Sequence, residues 1–398
     1  MKQLLLAILL LIATKTFSQY AWTQEENYLG NPKWGAAGFS INGIGYIGSG
    51  VNSTNPVNDW WAYNPDSNSW KQVASYPATH NVNGFAAAAN GKGYTGFGGD
   101  TTWYAYDPTI NEWIKKASFP AASYYPGSVS GFVIGNKIYI GTGMDLNSYS
   151  DSCRTFWSYD AVADKWAQLA DFGGIGRYAA VGFAINGKGY IGSGTTGWGQ
   201  LSDFWQYDTT TNKWTQVADF PAGGRYQAAG FAIGGKGYFG MGLDDSNSPT
   251  QDFYEFNPDS NTWSPVASYP NTQFQPAWFV IGNVGYCGTG SYGSNEFYEF
   301  TGAPAITSII KSTPASNFTI YPNPSTGNFS IKAGGATTNY SVQIYNSLGE
   351  KVFSKSSCSG AVVQNIELVN AVAGFYEVSI TDATTNTVIS TEKLLIIK

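Results

Sequence analysis

The sequence has very little of the residue types on which most catalytic and metal sites depend. One histidine, His80, occurs in 398 residues, beside three cysteines and three arginines. Any Ser-His-Asp or Cys-His mechanism would have to use this single imidazole. A zinc site built from several histidines is excluded for the same reason. A lone histidine in a loop is more often incidental than catalytic, so no catalytic residue is assigned.

Charge is scarce as well. Charged residues make up 12% of the chain, and its formal charge of −6 becomes −8 without Lys2 and Lys15 of the N-terminal segment. Binding to nucleic acid needs clustered Lys and Arg to neutralise phosphates, so no such partner is expected. Cys153, Cys287 and Cys358 are odd in number and far apart, and a disulfide framework is not implied.

Long apolar runs are absent except at the N-terminus. The run Leu4–Ile12 follows Lys2 and precedes a small-residue pattern that ends at Ser18. This arrangement predicts a signal peptide over residues 1–18, because the run is too short to span a bilayer. No later segment is long enough to cross a membrane, so we expect no transmembrane segment and an exported chain.

What the sequence has in abundance is repetition. Tyr-x-Gly-x-Gly recurs at Tyr46, Tyr94, Tyr139, Tyr190, Tyr238 and Tyr286. A Trp followed six residues later by Tyr or Phe recurs at Trp70, Trp113, Trp166, Trp214 and Trp263. A period of 40–50 residues is typical of a propeller or a solenoid.

The two markers differ in number, and the difference predicts how the repeats close. The sixth repeat lacks its Trp, whereas Trp22, with Tyr28 six residues later, stands alone at the start. We therefore expect residues 20–28 to complete the last repeat in a closed ring of six four-stranded units. In one unit the predicted strands are Ala180–Ile185, Gly189–Gly194, Phe204–Tyr207 and Trp214–Val217, bounded by turn residues.

The motifs of that unit resemble a known family. Gly187-Lys188-Gly189-Tyr190, then Asp203-x-Trp-x-Tyr-Asp208, then Asn212-x-Trp214 and Pro221 resemble Kelch repeats. The resemblance covers residues 20 to about 300, and Gly-x-Gly stands where Kelch repeats usually have a Gly-Gly doublet. It implies an all-β fold, a six-bladed Kelch-type β-propeller, over residues 19–301. Copper-radical oxidases share such a propeller but need two His ligands, which this chain cannot provide.

The residue pattern changes after the repeats. Residues 302–316 contain neither marker and are expected to form a linker, and residues 317–398 alternate like the strands of a small antiparallel β-sandwich. The motifs Tyr321-Pro-Asn-Pro324, Asn346-Ser-Leu-Gly349, Gly374-Phe-Tyr376 and a terminal Lys-Leu-Leu-Ile-Ile-Lys resemble the C-terminal sorting domain of type IX secretion cargo. The resemblance implies Sec export, the type IX secretion machinery as a partner, and a secreted or outer-surface location.

Blade geometry indicates where a ligand would bind. The second–third loops and the connections between blades lie on one face of the disc and vary in length, as binding loops on a scaffold do. Two of these loops, Asp145–Asp151 and Asp244–Asn247, are rich in carboxylate and amide groups. Such groups can hold Ca²⁺, but the spacing of an EF-hand is missing and Asp and Asn are ordinary loop residues. We expect no cofactor, with calcium as the open alternative.

Cations and aromatic residues stand together just before the innermost strands, and Arg154 ends a second–third loop on the same face. The candidate ligand-binding residues are Lys33, Trp34, Arg154, Arg177, Tyr178, Arg225, Tyr226 and Phe274. Two interpretations stay open. The arginines bond loop carbonyls between blades, or they form an anion site in which guanidinium groups pair with a carboxylate and rings provide a stacking surface.

Three functions fit these observations. The first is a secreted or cell-surface binding protein that recognises a glycan or protein ligand on the face with the channel mouth. The second is a sugar mutarotase or epimerase-like enzyme acting on an acidic sugar, and the third is a structural surface protein. The fold alone cannot decide among them.

Overall fold

A computed structural model describes residues 20–53, 55–78, 83–98, 101–120, 126–145, 152–301, 318–333, 339–346, 351–359, 362–369, 371–382 and 388–397. The predicted signal peptide, His80, the predicted linker and most of the Asp145–Asp151 loop lie outside these residues.

Six four-stranded antiparallel sheets form the blades of a propeller. In chain order their strands are as follows. Blade 1 has Ala37–Ile41, Ile44–Gly48, Trp60–Asn64 and Ser69–Val73, and blade 2 has Phe85–Ala89, Lys92–Gly96, Trp103–Asp107 and Glu112–Lys115. Blade 3 has Ser130–Ile134, Lys137–Gly141, Phe156–Asp160 and Lys165–Gln168, and blade 4 has Val181–Ile185, Lys188–Gly192, Phe204–Asp208 and Lys213–Val217. Blade 5 has Ala229–Ile233, Lys236–Gly240, Phe253–Asn257 and Thr262–Val266, and blade 6 has Ala277–Ile281, Val284–Gly288, Phe297–Thr301 and Ala21–Gln24.

The outermost strand of blade 6 comes from the start of the chain. Ala21–Gln24 pairs antiparallel with Phe297–Thr301, and Trp22 lies opposite Phe300. The indole of Trp22 makes ring contacts with Phe253 and Tyr269 of the neighbouring blade. Trp214 makes the equivalent contacts in its own blade with Phe156 and Phe172. The N-terminal strand thus protects what would otherwise be an open sheet edge.

The repeated tryptophans have one structural role. Each indole N–H donates to a backbone carbonyl in the segment that follows the preceding blade's outermost strand, and the donors are Trp22, Trp70, Trp113, Trp166, Trp214 and Trp263. For Trp113 and Ala74 the distance is 2.8 Å. Each blade is therefore joined to its neighbour by a buried or partly buried ring and by a hydrogen bond, as expected for aromatic residues that fill the gap between blades.

Glycine dominates the inner strands because neighbouring blades approach closely there. A Cβ atom at Gly189 would lie 1.9 Å from the ring of Phe132 in the preceding blade. The same replacement at Gly93 would meet Phe39 at 2.1 Å. A phenylalanine from one innermost strand thus occupies the space above a glycine of the next blade, and no larger side chain fits.

The six innermost strands contact one another in sequence around the axis, and the first also contacts the last. They enclose a channel of about 430 Å³. Five blades place Gly38, Ala86, Gly131, Gly182 and Gly230 at one level of this channel, where blade 6 has Trp278. The small residues leave room for the indole, which narrows the channel at that level.

The C-terminal residues form a β-sandwich. A three-stranded sheet of Phe318–Tyr321, Asn328–Ala333 and Gln364–Glu367 packs with a four-stranded sheet of Tyr340–Tyr345, Lys351–Cys358, Gly374–Asp382 and Val388–Ile396. Sequence patterns missed Lys351–Cys358 and Gln364–Glu367, because polar residues fill most of these strands. Asn323 of the Pro-Asn-Pro motif and Ser325, which follows the motif, bond the backbone at the end of the last strand, which explains why these residues stand at that turn.

The remaining elements are small. Short ribbons pair Val51–Asn52 with Asn55–Pro56 and Pro126–Gly127 with Met144–Asp145, and Ser291–Gly293 forms one 3₁₀ turn. Cys153, Cys287 and Cys358 form no disulfide with one another, and Cys287 is fully buried as expected for a small apolar residue. Among the described residues, no helix is long and apolar enough to cross a membrane.

Candidate functional site at the channel mouth

A ring of left-handed residues surrounds one end of the channel. Each blade has one such residue, with φ between 51° and 62°, just before its innermost strand: Gly35, Asn83, Ser128, Ala179, Gln227 and Gln275. This conformation is uncommon for residues other than glycine. It lets the N–H of one blade donate to the carbonyl of its neighbour, as in Gln275 to Gln227 at 2.8 Å and Asn83 to Gly35 at 3.0 Å. We call this face of the propeller the mouth face.

A pocket of about 780 Å³ opens at the mouth face beside this ring. It is lined by Pro32, Trp34, Asn52, Ser53, Asn83, Gln227, Phe274, Gln275 and Gly293. The residues come from blades 1, 2, 5 and 6, and the rings of Trp34 and Phe274 are half-buried. We call this cavity the mouth pocket. Its size lies in the range of small-molecule sites.

The structure brings two predicted site residues together in the mouth pocket and adds three amides that sequence reasoning missed. Trp34 and Phe274 were predicted, whereas Asn83, Gln227 and Gln275 were not. Gln275 Nε2 donates to Asn83 Oδ1 at 3.0 Å, across the position of Gly35. A Cβ atom at Gly35 would lie 2.4 Å from that oxygen, so glycine permits the contact. Gln227 and Gln275 directly follow the predicted residues Tyr226 and Phe274, and Asn83 stands at the same left-handed position of blade 2. A repeat alignment of that position would have found all three amides.

Arg177 is inside the protein and not in the mouth pocket. Its side chain is fully buried and forms a two-pronged ion pair with Asp203, at 2.8 Å and 2.7 Å. It also donates to the carbonyls of Ile175 and Ser193, and it stacks 4.7 Å from the ring of Phe172. Burial acts to raise the pKa of Asp203, but the hydrogen bonds and charge of Arg177 outweigh it and lower the pKa.

Arg225 and Lys33 occupy the equivalent positions of blades 5 and 1. We call these the lead positions, four residues before the innermost strand begins. Arg225 is 5% exposed and bonds Asp252 at 2.9 Å, and Lys33 is fully buried 2.5 Å from Asp59. Burial lowers the pKa of Lys33, against the attraction of Asp59. These contacts favour the structural interpretation of the lead cations, and their ligand-binding role stays a prediction.

The other predicted residues lie on the mouth face outside the pocket. Arg154 is exposed, and its Nε donates to the carbonyl of Phe172 at 2.9 Å. Tyr178 and Tyr226 are half-buried, and the hydroxyl of Tyr226 donates to Asn247 at 3.1 Å. None of the three contributes to the lining of the mouth pocket.

One exposed aromatic residue on this face had no sequence signal. Trp198 is 93% exposed at the tip of the second–third loop of blade 4. The turn beneath it is held by backbone and hydroxyl bonds of Thr195 and Thr196 to Gly199, at 3.1 Å each. Trp198 belongs to neither repeated marker, so the sequence offered no indication of its position in a blade. Only the structure shows that its side chain is exposed.

The acidic loop of blade 5 is a tight turn. Asp244 Oδ1 accepts from the backbone N–H groups of Ser246 and Ser248, at 2.8 Å and 2.9 Å, which is the ordinary loop-forming role of Asp. Asn247 accepts from Gln200 as well as from Tyr226. Across the described ranges, no group of three or more His, Cys, Asp or Glu side chains is arranged to hold a metal ion.

Comparisons with known proteins agree with both parts of the chain. Residues 120–282 match the model of the KLHDC2/KLHL20/DRC7 Kelch-repeats domain, and residues 319–398 match that of the secretion system C-terminal sorting domain. The solved structure of YjhT has the same fold, with a TM-score of 0.59 and 15% identity over 69% of this chain and 95% of that chain. No curated protein sequence matches the chain.

The predicted recognition and fold class are therefore confirmed. The chain thus carries Kelch repeats in an all-β propeller fold, and its C-terminal sorting domain indicates export by the type IX secretion system to the cell surface or the extracellular space.

Proposed function

We propose that the propeller is an exported binding protein that holds a glycan on its mouth face. The mouth pocket carries this proposal, because it combines two aromatic rings with several uncharged polar side chains in a cavity of about 780 Å³. Sites for small organic ligands have this composition, with apolar area for affinity and a few polar groups for orientation. Export to the cell exterior gives such a site access to glycans.

The backbone around the pocket supports binding as its task. The ring of left-handed residues is joined by backbone hydrogen bonds between blades, so the backbone that carries the pocket's side chains has little freedom to lose when a ligand arrives. Preorganisation of this kind reduces the entropic cost of association. Trp198, on its braced turn, adds a further aromatic contact on the same face.

The mutarotase or epimerase alternative has less support from the geometry. Proton transfer at a sugar carbon or oxygen needs a general acid or base within hydrogen-bonding reach. The described residues that line the mouth pocket include no Asp, Glu, His, Lys or Tyr. Asn, Gln and Ser can bind hydroxyl groups but cannot exchange protons with them near neutral pH.

A glycan array probed with the labelled mature chain tests the proposal. We expect selective binding that weakens when Trp198 is replaced by Ala, and that persists when Val162 is replaced by Ala. Val162 is 66% exposed in a third–fourth turn, on the opposite face of the disc. Binding only to a protein ligand, or loss of binding through Val162→Ala, would contradict the proposal.

A further inference from the structure

The mouth pocket differs from the rest of the mouth face in its charge. The nine described residues that line it have no ionisable side chain, although acidic and basic residues stand close by in the sequence. We propose that this pocket selects an uncharged saccharide and discriminates against sugars that carry a carboxylate. The inference rests on the proposed function and specifies its ligand.

Among the residues that the structure describes, the cations nearest in sequence to the pocket lining are already paired. Lys33 adjoins Trp34, but its ammonium group is buried against Asp59 at 2.5 Å. Arg225 lies two residues before Gln227, and its guanidinium group bonds Asp252 and the carbonyls of Ala222 and Gly224. At the lead position of blade 6 the chain has the neutral Gln273, whose amide is bonded to Thr289 and Ser291.

A carboxylate in the mouth pocket would therefore lose hydration without gaining a cation from the described part of the chain. Burial of an unpaired charge is strongly unfavourable. The negative charge of the whole mature chain adds repulsion at low ionic strength. Hydroxyl groups meet no such penalty, because each can both donate to and accept from an amide.

The lining matches the two kinds of surface on a neutral sugar. A pyranose ring presents its C–H groups as an apolar face, and the rings of Trp34 and Phe274 offer large apolar areas at low cost in side-chain entropy. Hydroxyl groups at the edge of the sugar need both donors and acceptors. The amides of Asn83, Gln227 and Gln275 supply both.

The channel below the pocket is a poorer place for a sugar. Most of its lining is Gly, Ala, Val and Phe, and the indole of Trp278 narrows it. Hydroxyl groups there would find few partners and would lose hydrogen bonds with water. The saccharide therefore stays at the mouth, where a longer chain can extend over the face.

Titration calorimetry on the full mature chain tests whether the pocket prefers neutral to acidic saccharides. The probes are neutral cello-, xylo-, manno- and chito-oligosaccharides and, at equal length, acidic oligogalacturonate. We expect a neutral probe to bind at least about tenfold more tightly than the acidic one. Trp34→Ala and Phe274→Ala should each weaken neutral binding by about tenfold, while Val162→Ala should not change it.

A gain-of-function variant makes the charge argument falsifiable even where an alanine variant folds poorly. Gln227→Lys places an ammonium group in the pocket without changing the left-handed backbone requirement, and it should shift preference toward oligogalacturonate. If the unaltered chain binds the acidic probe as tightly as the neutral one, or if both aromatic variants keep full neutral affinity, the inference is wrong and the proposed function stands. If no oligosaccharide of either kind binds, the proposed function falls with it.

Discussion

Blades 4 and 5 share the same Arg-Tyr motif, yet their arginines are satisfied to different degrees. Arg177 bonds both oxygens of Asp203, whereas Arg225 bonds one oxygen of Asp252. Arg225 Nε and Asp252 Oδ1 are buried without a hydrogen-bond partner.

The difference originates two residues after each aspartate. In blade 4 the indole of Trp205 donates to Asp203 at 2.7 Å and fixes the carboxylate toward the arginine. Blade 1 repeats the arrangement, with Trp61 donating to Asp59 at 2.9 Å. Blade 5 has Tyr254 instead, which packs on Phe220. The same repeat motif thus forms a fully hydrogen-bonded ion pair in blade 4 and an incomplete one in blade 5. The difference lies in the third partner of the pair, which is an indole donor in blade 4 and is replaced by Tyr254 in blade 5.

The largest expected effect is the loss of Arg177. Arg177→Ala leaves Asp203 largely buried without its cation, which should lower the free energy of unfolding by about 3 kcal/mol. Arg225→Ala should cost less, because its pair is incomplete, and the exposed Arg154→Ala should cost least. Urea unfolding followed by tryptophan fluorescence measures this in the propeller alone, because every Trp lies at or before Trp278. Equal losses for Arg177 and Arg225 would contradict the comparison.

Removal of the indole donor Trp205 should make the ion pair of blade 4 resemble the weaker pair of blade 5. Trp205→Phe keeps an aromatic ring near Phe172 but deletes the hydrogen bond to Asp203. The free energy of unfolding should fall by about 1–2 kcal/mol, as for a hydrogen bond to a charged group. Trp263→Phe, which deletes a bond to the carbonyl of Ala218, is the neutral-acceptor control and should cost less.

The reverse substitution should improve blade 5. Tyr254→Trp offers Asp252 the indole donor that Asp203 already has, and a gain of about 1 kcal/mol in stability is expected. The same urea titration measures it. If Arg225→Ala becomes no more costly in the Tyr254→Trp background, the indole does not act through the ion pair.

The smallest expected effect is on stability at low pH. It concerns an ion pair on the face of the propeller opposite the mouth face. Lys188 bonds Asp208 in blade 4, and this bond holds the pKa of Asp208 at about 2. Blade 5 has Asn257 at that position, and Lys236 lies 3.9 Å from the exposed Asp259. Since the folded-state pKa is below the usual 3.8, the stabilisation is present above about pH 4 and is lost as pH falls through about 2.

Unfolding between pH 4 and pH 2 tests this pair. Asp208→Asn should remove a small part of the acid sensitivity, and Asn257→Asp should add a comparable part in blade 5. An acid transition that neither substitution changes would show that the pair does not contribute.

Local pattern was enough to predict the propeller and the strands of its blades. The markers at Tyr190 and Trp214 recur in register because five blades need glycine beside their neighbour's phenylalanine and every blade has an indole against the neighbouring sheet. Blade 3 has Ile138 in place of that glycine, and blade 2 has Ala87 in place of the phenylalanine. Predicted strands such as Phe204–Tyr207 differ from the observed ones by one or two residues. The exact domain boundaries stay predictions. The strands Lys351–Cys358 and Gln364–Glu367 of the C-terminal domain were missed because most of their residues are polar. Such strands show no alternation of apolar and polar residues from which a strand can be predicted.

The candidate site was predictable only in part. Trp34 and Phe274 could be named because they occupy one repeat position, but their convergence with Asn83 and Gln227 joins residues almost two hundred positions apart. The sequence could not show which cations face solvent, since burial of Arg177 depends on Asp203 and on the packing of Trp205. The sequence by itself determined the repeat, its six copies and the export tail, because those depend on local spacing. Only the tertiary structure decided which side chains line the mouth pocket, because closure of the ring brings distant blades together.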